Sequence, residues 1–375
     1  MASASDAVLA AIGQTAAPQI AADARSVDRN RVFPDVGLRA LVEAGGFGLV
    51  VPKSAGGAGG SLRALVEACE AVGAACASTG MVFLMHSVTA ATVAAGGGPR
   101  ADGYLRTLAN GSALGTLAFS ERGTGAHFYA PELRASRSNG TVQISGRKTF
   151  VTSGGHADLY LVLVQGEGEG LDCYAVERGN GGLSFDGSWA GLGMAGNESV
   201  AMELDVEVSE EARIGAAGKG QELVFEVVAP SFLLGLAGVN VGIARAAAEA
   251  ATEHVRDRRY PDGSSLAEIQ FIQHELADMD LRVRAARLVV TDAARLGEAA
   301  DPAALVAIME AKIAATEAAV DVTQHALEVC GGQGYTPALT IERHLRDARA
   351  GTVMAPTNAV LKSWVGKALA GLPVP

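Results

Sequence analysis

A surplus of basic charge is absent from this 375-residue chain: 30 Lys and Arg stand against 41 Asp and Glu, a net charge of −11 at pH 7. With no basic stripe to displace condensed counterions, nucleic acid is excluded as a partner. Aromatic residues are scarce at 5%, whereas alanine and the 47 glycines are abundant. That balance favours close-packed helices over a sheet-rich sandwich. Only four cysteines occur, and none has metal-ligand spacing. Cys69 and Cys76 fall on one apolar face of an expected helix, and Cys173 and Cys330 stand alone, a pattern that reads as buried, reduced thiols in a cytoplasmic protein with no metal site. No unbroken apolar run approaches the roughly eighteen residues that span a bilayer. The N-terminus carries no basic residue ahead of its apolar ones, so neither a membrane segment nor a secretory signal is expected.

What is present is a large apolar fraction, 49%, in a chain too long for one ordinary core. The pattern runs from helix to strand and back to helix, which suggests an α-helical unit over 1–112, a β unit over 113–218 and an α-helical bundle over 219–375. Helices are expected near 5–24, 35–45, 62–78, 81–95 and 102–109, punctuated by Gly45-Gly46 and the Gly56–Gly60 cluster. From Leu114 the chain turns to short β-prone runs: LGTLAFS, TVQIS, KTFVTS, DLYLVLV, LDCYAVE and SVAMELDVEV. Their spacing predicts an antiparallel barrel or sandwich. After Gly218, Ile269, Ile272, Leu276, Met279, Val283, Ala286 and Val290 form one helical stripe. Leu305, Met309, Ile313, Thr316, Val320, Thr323, Leu327 and Cys330 form a second, with Pro302 suited to its first turn. Two long striped helices in succession predict an antiparallel bundle with faces left for other subunits.

Four segments carry chemistry. The run from Cys330 to Asn358 (CGGQGYTPALTIERHLRDARAGTVMAPTN) places a glycine-rich turn, a charged helix and a small-residue loop in order. AFSERGTGAH (118–127) and RKTFVTSGG (147–155) each end a β-prone run, and RRYPDGSSLAEIQ (258–270) joins two expected helices. Together with DRNRVFPDVGLRALVEAGGFGLVVPKSAGGAGG (28–60), they resemble, along the whole chain, the acyl-CoA dehydrogenase family. That resemblance implies an α+β fold: an N-terminal helical domain, a middle antiparallel β-barrel and a C-terminal four-helix bundle. It also implies a homotetramer and an FAD shared between the β domain and the C-terminal helices.

By the same resemblance, Phe119 and Ser120 meet the isoalloxazine edge, Phe150 covers one face of the ring and Thr152 bonds near its N5. Arg259 and Gln270 take the diphosphate and adenosine side. A planar guanidinium fork suits a diphosphate. Gly331 and Gly332 allow close backbone approach, although a glycine helix cap explains them equally well. Glu328 replaces a family glutamine, and Thr357 matches a cofactor-contacting threonine.

Removing the α-hydrogen of an acyl thioester requires a positioned base and an oxyanion site. The resemblance puts the usual glutamate at Ala355, and the alternative site at Phe232; neither is a carboxylate. Ala355 keeps the backbone N–H that forms part of the oxyanion contact, and Pro356 could make Ala355 the N-cap of the last helix. The Ser-Asp pair that touches the thioester arm in the family is Ala126-His127 here, which opens an acyl carrier protein as an alternative to coenzyme A. His86 is the leading candidate for a replacement base and His127 the second, although a structural or pocket-lining role is the better reading of His86. The implied activity is α,β-desaturation of an acyl thioester with a non-standard base, with an electron-transfer flavoprotein or a flavin reductase as redox partner. The alternatives are a flavin-dependent monooxygenase on this scaffold, and a non-redox or catalytically silent flavoprotein.

Overall fold

The computed structural model describes residues 3–166, 168 and 170–374. Ser3 starts the chain's first helix through a reciprocal capping box with Asp6, satisfying two of the orphan N–H groups at the helix end. Helices α1 (Ala4–Ala11) and α2 (Ala17–Asn30) are joined through a π-helical turn, Ile12–Ala16, so the expected helix over 5–24 runs on to Asn30. Then come α3 (Asp35–Glu43), α4 (Leu62–Ala75), α5 (Ala77–Gly96) and α6 (Ala101–Ala109). Cys76, in extended backbone, separates α4 from α5, so Cys69 and Cys76 do not share a helix; all four thiols are free and buried.

The middle region forms two four-stranded sheets and does not close into a barrel. One sheet has the order β1 (Gly115–Ala118), β4 (Leu159–Gln165), β5 (Leu171–Glu177), β8 (Arg213–Ile214), with β1 and β4 parallel. The other is antiparallel, ordered β2 (Ala135–Ser138), β3 (Thr141–Val151), β7 (Val200–Ser209), β6 (Leu183–Asp186). The edge strands β1 and β8 of one sheet and β2 and β6 of the other each pair on one side only. The runs TVQIS and KTFVTS prove to be one strand, β3, whose register slips between Lys148 and Val151. Such a bulge re-aims the intervening side chains. β4 is buried along six of its seven residues, as a central strand covered on both faces should be.

The third unit comprises α7 (Gly220–Leu223), a second π-turn (Val224–Val228), α8 (Ala229–Asp257), α9 (Gln270–Glu298), α10 (Ala304–Gly334), α11 (Ile341–Val353) and α12 (Asn358–Leu369). Glycines let α8 approach α4 closely. A Cβ at Gly73 would lie 2.7 Å from the Val239 backbone, and one at Gly242 would lie 2.3 Å from the Glu70 carbonyl. The α9 stripe is buried at Ile272, Met279, Val283, Ala286 and Val290, but Ile269 precedes the helix and is exposed. The expected α10 stripe is buried at Met309, Thr316, Thr323 and Cys330, whereas Leu305 is exposed and Ile313, Val320 and Leu327 are only half-buried. The buried face also takes in Ile308, Ala311, Lys312, Ala315, Ala319, Val322 and Ala326. Pro302 lies just outside the helix, ahead of Ala304.

Two helices, residues 77–96 and 220–257, are long and apolar enough to cross a bilayer by length and composition, which unbroken-run counting did not reveal. In both, 78% of the most apolar window is buried inside the protein, so these are core helices.

Candidate functional site

A cavity of about 570 Å³ opens where the sheets meet α5, α8 and the α11–α12 loop. Each element supplies side chains for a local reason. The cavity face of α5 presents Met81 and Met85, one turn apart. The strand end after β1 brings Phe119, Ser120 and Glu121, and the β3 bulge brings Thr149, Phe150 and Thr152. Val228 and Phe232 come from the start of α8, and Ala350, Val353, Met354, Ala355 and Thr357 from the end of α11 and the loop beyond it. Eight of the residues singled out in the sequence thus converge: Phe119, Ser120, Ala126, Phe150, Thr152, Phe232, Ala355 and Thr357.

The bulge turns Phe150 outward. Its φ is +53°, its ring is 70% exposed toward the cavity mouth, and it meets Trp189 edge-on at 6.5 Å. A bulky residue in left-handed backbone with its ring uncovered is the strained, ligand-facing arrangement that functional sites tolerate. Thr152 is buried and pairs through its hydroxyl with Ser199 at 2.9 Å. Thr357, not Ala355, is the N-cap of α12, accepting from the Val360 N–H at 3.3 Å. The Ala355 N–H has no hydrogen-bond acceptor among the described residues.

His86 is not part of this wall. It is fully buried and stacked on Phe47 at 4.0 Å. The Gly115 N–H donates to its Nδ1 at 3.3 Å, which leaves the proton on Nε2 to be donated to the Phe47 carbonyl at 3.2 Å. Burial pushes its pKa down to about 4. A neutral ring with both nitrogens engaged by backbone is a structural histidine, which corrects the expectation of a replacement base. His127 is exposed and packs on the edge of Tyr129, outside the cavity lining, while its neighbours Ala126 and Phe128 lie within it.

The residues assigned to the adenosine side lie apart from the cavity. Arg259, Gln270, Glu328, Gly331 and Gly332 are all exposed. They cluster in the chain at the end of the bundle where α8 leads into α9 and α10 terminates, an end fixed by the His325–Glu275 contact between α10 and α9. Arg259 donates to the Arg256 carbonyl, and Glu328 accepts from Gln324. Gly331 breaks α10 with φ +54° and ψ −140°, a left-handed backbone that glycine adopts without strain, so the glycine kinks the helix just before its end at Gly334.

Three features escaped the sequence. The first is a buried ion pair: Lys148 Nζ lies 2.6 Å from Glu121 Oε1 and also donates to the Leu163 and Phe119 carbonyls. Glu121 in turn accepts from the N–H groups of Glu132 at 2.7 Å and Leu133 at 3.2 Å. Burial lowers the Lys148 pKa, and Glu121 opposes that shift. Both residues sit inside the quoted segments, Glu121 in the loop after β1 and Lys148 on β3. The second is Lys312, fully buried beneath the Ala355 loop, its ammonium pushed down to about 7 by burial. The third is Asn197, also fully buried in the wall.

The wall fits the isoalloxazine that the resemblance implies. Thr149 Oγ1 and both amide atoms of Asn197 are buried without a hydrogen-bond partner, and buried polar atoms are almost always paired when their ligands are present. Beside them lie an uncovered aromatic face, Phe150, and the hydroxyls of Ser120 and Thr357. Among the wall residues, Glu121 is the sole carboxylate and is already ion-paired, and no imidazole is present.

Comparison with known proteins agrees with this layout. Models of the acyl-CoA dehydrogenase N-terminal, middle and C-terminal domains match residues 3–112, 116–206 and 234–370 in that order. Cyclohex-1-ene-1-carbonyl-CoA dehydrogenase of Geobacter metallireducens is 31% identical over 367 residues, covering 96% of each chain. The solved butyryl-CoA dehydrogenase of Megasphaera elsdenii superposes with a TM-score of 0.92 at 25% identity over 99% of each chain. The prolyl acyl carrier protein oxidase AnaB shares the fold, with a TM-score of 0.85 at 22% identity over 94% of this chain and 97% of that one.

Proposed function

This chain belongs to the acyl-CoA dehydrogenase family, and on that footing we propose that it oxidises an acyl thioester between its α and β carbons. It is a flavin oxidoreductase acting on CH–CH groups, with FAD as its cofactor. The observation that carries the reading is the convergence, on one cavity, of Ser120, Phe150, Thr152 and Thr357 with an apolar wall and an unpaired Ala355 N–H.

When bound, FAD accepts the β-hydride. The protein's own contributions follow from the wall. Met81, Met85, Val228 and Phe232 exclude water from an acyl chain. Ser120 and Thr152 offer hydroxyls, and Phe150 an aromatic face, to the flavin ring. The Ala355 N–H faces the thioester carbonyl, where a backbone donor stabilises the charge that develops on oxygen. Glu121 cannot serve as the base, because Lys148 and two backbone N–H groups occupy its oxygens. With no free carboxylate in the wall, the α-proton would pass to solvent at the cavity mouth, a weaker acceptor than a positioned carboxylate, so this reading makes proton removal slow. Arg259, Gln270, Glu328, Gly331 and Gly332, exposed at the bundle end, serve the adenosine half in a homotetramer, and an electron-transfer flavoprotein re-oxidises the flavin. The carrier is coenzyme A or an acyl carrier protein; Ala126 in place of a serine removes one contact to the thioester arm.

The test is anaerobic: the right acyl thioester should bleach the oxidised flavin. Failure of a panel of CoA and carrier-protein thioesters to do so sinks the reading. The wall's lack of a free carboxylate favours a second reading, a monooxygenase, whose chemistry needs no α-proton abstraction. Rapid oxygen consumption on supply of reduced flavin by a separate reductase would select it.

A further inference from the structure

Beneath the Ala355 loop, α8, α10, α11 and α12 enclose a polar knot that no cavity reaches. Lys312 of α10 is its centre, with no solvent exposure. Its Nζ donates to Asn358 Oδ1 at 2.8 Å, to the Pro356 carbonyl at 3.1 Å and to the Met354 carbonyl at 3.4 Å. Thr316, one turn on, donates to the Lys312 carbonyl at 2.8 Å, and the Asn358 amide donates to the Thr316 hydroxyl at 3.0 Å. Gly351 of α11 admits Asn240 of α8 alongside, since a Cβ there would sit 2.6 Å from Asn240 Oδ1.

The two carbonyls that Lys312 holds belong to the residues flanking Ala355. An ammonium that binds one acceptor on each side of a residue fixes the plane of the peptides between them, and so fixes where the intervening N–H points. The third acceptor, Asn358, anchors the first turn of α12, so the whole segment from Met354 to Asn358 hangs from one buried side chain. Burying an ammonium is costly unless all its protons are engaged. Here all three are, and every acceptor lies in the segment that borders the site.

We propose that Lys312 is a positioning residue for the reaction, gripping the peptides around Ala355 so that its N–H meets the substrate carbonyl. This rests on the thioester reading above. Lys312 touches neither substrate nor cofactor; it acts through the loop backbone.

The test compares Lys312→Met, which keeps the length and removes every donor, with Lys312→Gln, which keeps two amide N–H donors on a shorter side chain, in FAD-loaded protein. Amide hydrogen exchange over 350–361, read without substrate, should rise at least about tenfold around Met354–Asn358 in Lys312→Met and less in Lys312→Gln, with α5 unchanged. With a thioester that bleaches the flavin, kcat should fall about a hundredfold in Lys312→Met, the scale of one lost oxyanion donor, with KM altered less than about threefold. Partial recovery is expected in Lys312→Gln. Should Lys312→Met fail to fold, Lys312→Gln alone decides, since at least one of the three loop bonds is still lost. Wild-type exchange across the segment, or equal loss in kcat and KM at unchanged exchange, overturns the proposal. If no thioester bleaches even the wild-type flavin, the functional reading fails, while the exchange comparison still judges the grip of Lys312 on the loop.

Discussion

Removing the ammonium at position 148 should cost this protein a large part of its stability and loosen its hold on the flavin. Lys148 is fully buried, and its Nζ makes three bonds: to Glu121 at 2.6 Å, to the Leu163 carbonyl at 2.6 Å and to the Phe119 carbonyl at 3.4 Å. In Lys148→Met the Glu121 carboxylate is left uncompensated at 7% exposure, with only the Glu132 and Leu133 N–H groups facing it. Breaking one side of a buried pair costs about 3–5 kcal/mol, against the ~5–15 kcal/mol that holds a typical domain folded. The double variant Glu121→Gln with Lys148→Met removes both charges yet keeps an acceptor for the two N–H groups, so it should recover about 2 kcal/mol or more. Because the pair braces the backbone on both sides of Ser120, FAD retention should follow the same order: wild type, double variant, single variant. Urea unfolding followed by circular dichroism, with bound flavin measured on the same samples, gives both quantities. A loss below about 1 kcal/mol in the single variant, or a double variant no better than it, would refute the claim that this pair carries the site.

Ala355→Glu restores a carboxylate to the loop beside the cavity. If the missing base limits the rate, thioester-driven flavin bleaching in stopped flow should accelerate by about 10²–10⁴-fold, and an unchanged rate rejects that account. His86→Gln keeps one acceptor for Gly115 N–H and one donor for Phe47, so kcat should be unaltered. The depressed pKa of His86 stabilises the fold above pH 6.5, and this contribution is lost as pH falls from 6.5 toward about 4, amounting to about 3 kcal/mol. The variant should therefore flatten the acid limb of a stability–pH curve, and a large drop in kcat would return His86 to the chemistry. Asp347 accepts from the Met194 N–H at 2.6 Å, and burial raises its pKa to about 6. Its stabilising contribution is complete below pH 3.8 and lost as pH rises through 6, so Asp347→Asn should gain up to about 3 kcal/mol at pH 8 and little at pH 4, by urea midpoints.

The order of the three units was legible because the hydrophobic period changes at Leu114 and again after Gly218. The failure of the sheets to close was not, since strand runs in sequence carry no record of pairing partners. β1 pairs directly with β4 in parallel although β2 and β3, between them in sequence, belong to the other sheet, and two edge strands, β2 and β6, have only four residues each and little apolar pattern to announce them. Half of the α10 stripe, Met309, Thr316, Thr323 and Cys330, was legible. Leu305, Ile313, Val320 and Leu327 were not buried as expected, because much of the packed line is built of alanines, and alanine is too common in this chain to mark a face. The bulged Phe150 and the glycine at position 331 were readable as motif positions, whereas their positive φ values were not.

For the site itself, the legible part was the set of residues whose backbones shape the cavity, and the illegible part was the set of charges that hold it from behind. Glu121, Lys148, Lys312 and Asp347 are residues that a sequence reading assigns to the surface, yet each is buried and bonds to backbone. Lys148 and Lys312 bond to the carbonyls of the cavity residues Phe119 and Met354, Glu121, itself in the wall, to Glu132 and Leu133, and Asp347 to Met194. That division explains how a wall can keep its shape while its base is missing. The contacts to the carbonyls flanking Ala355 and to the Phe119 carbonyl are made by Lys312 and Lys148, which do not line the cavity, so on the proposed reading a methyl group at position 355 leaves those contacts intact. On this geometry, activity and architecture are separable at position 355. They are not separable at Lys148 or Lys312, where one substitution leaves buried carbonyls unpaired on the backbone that lines the site.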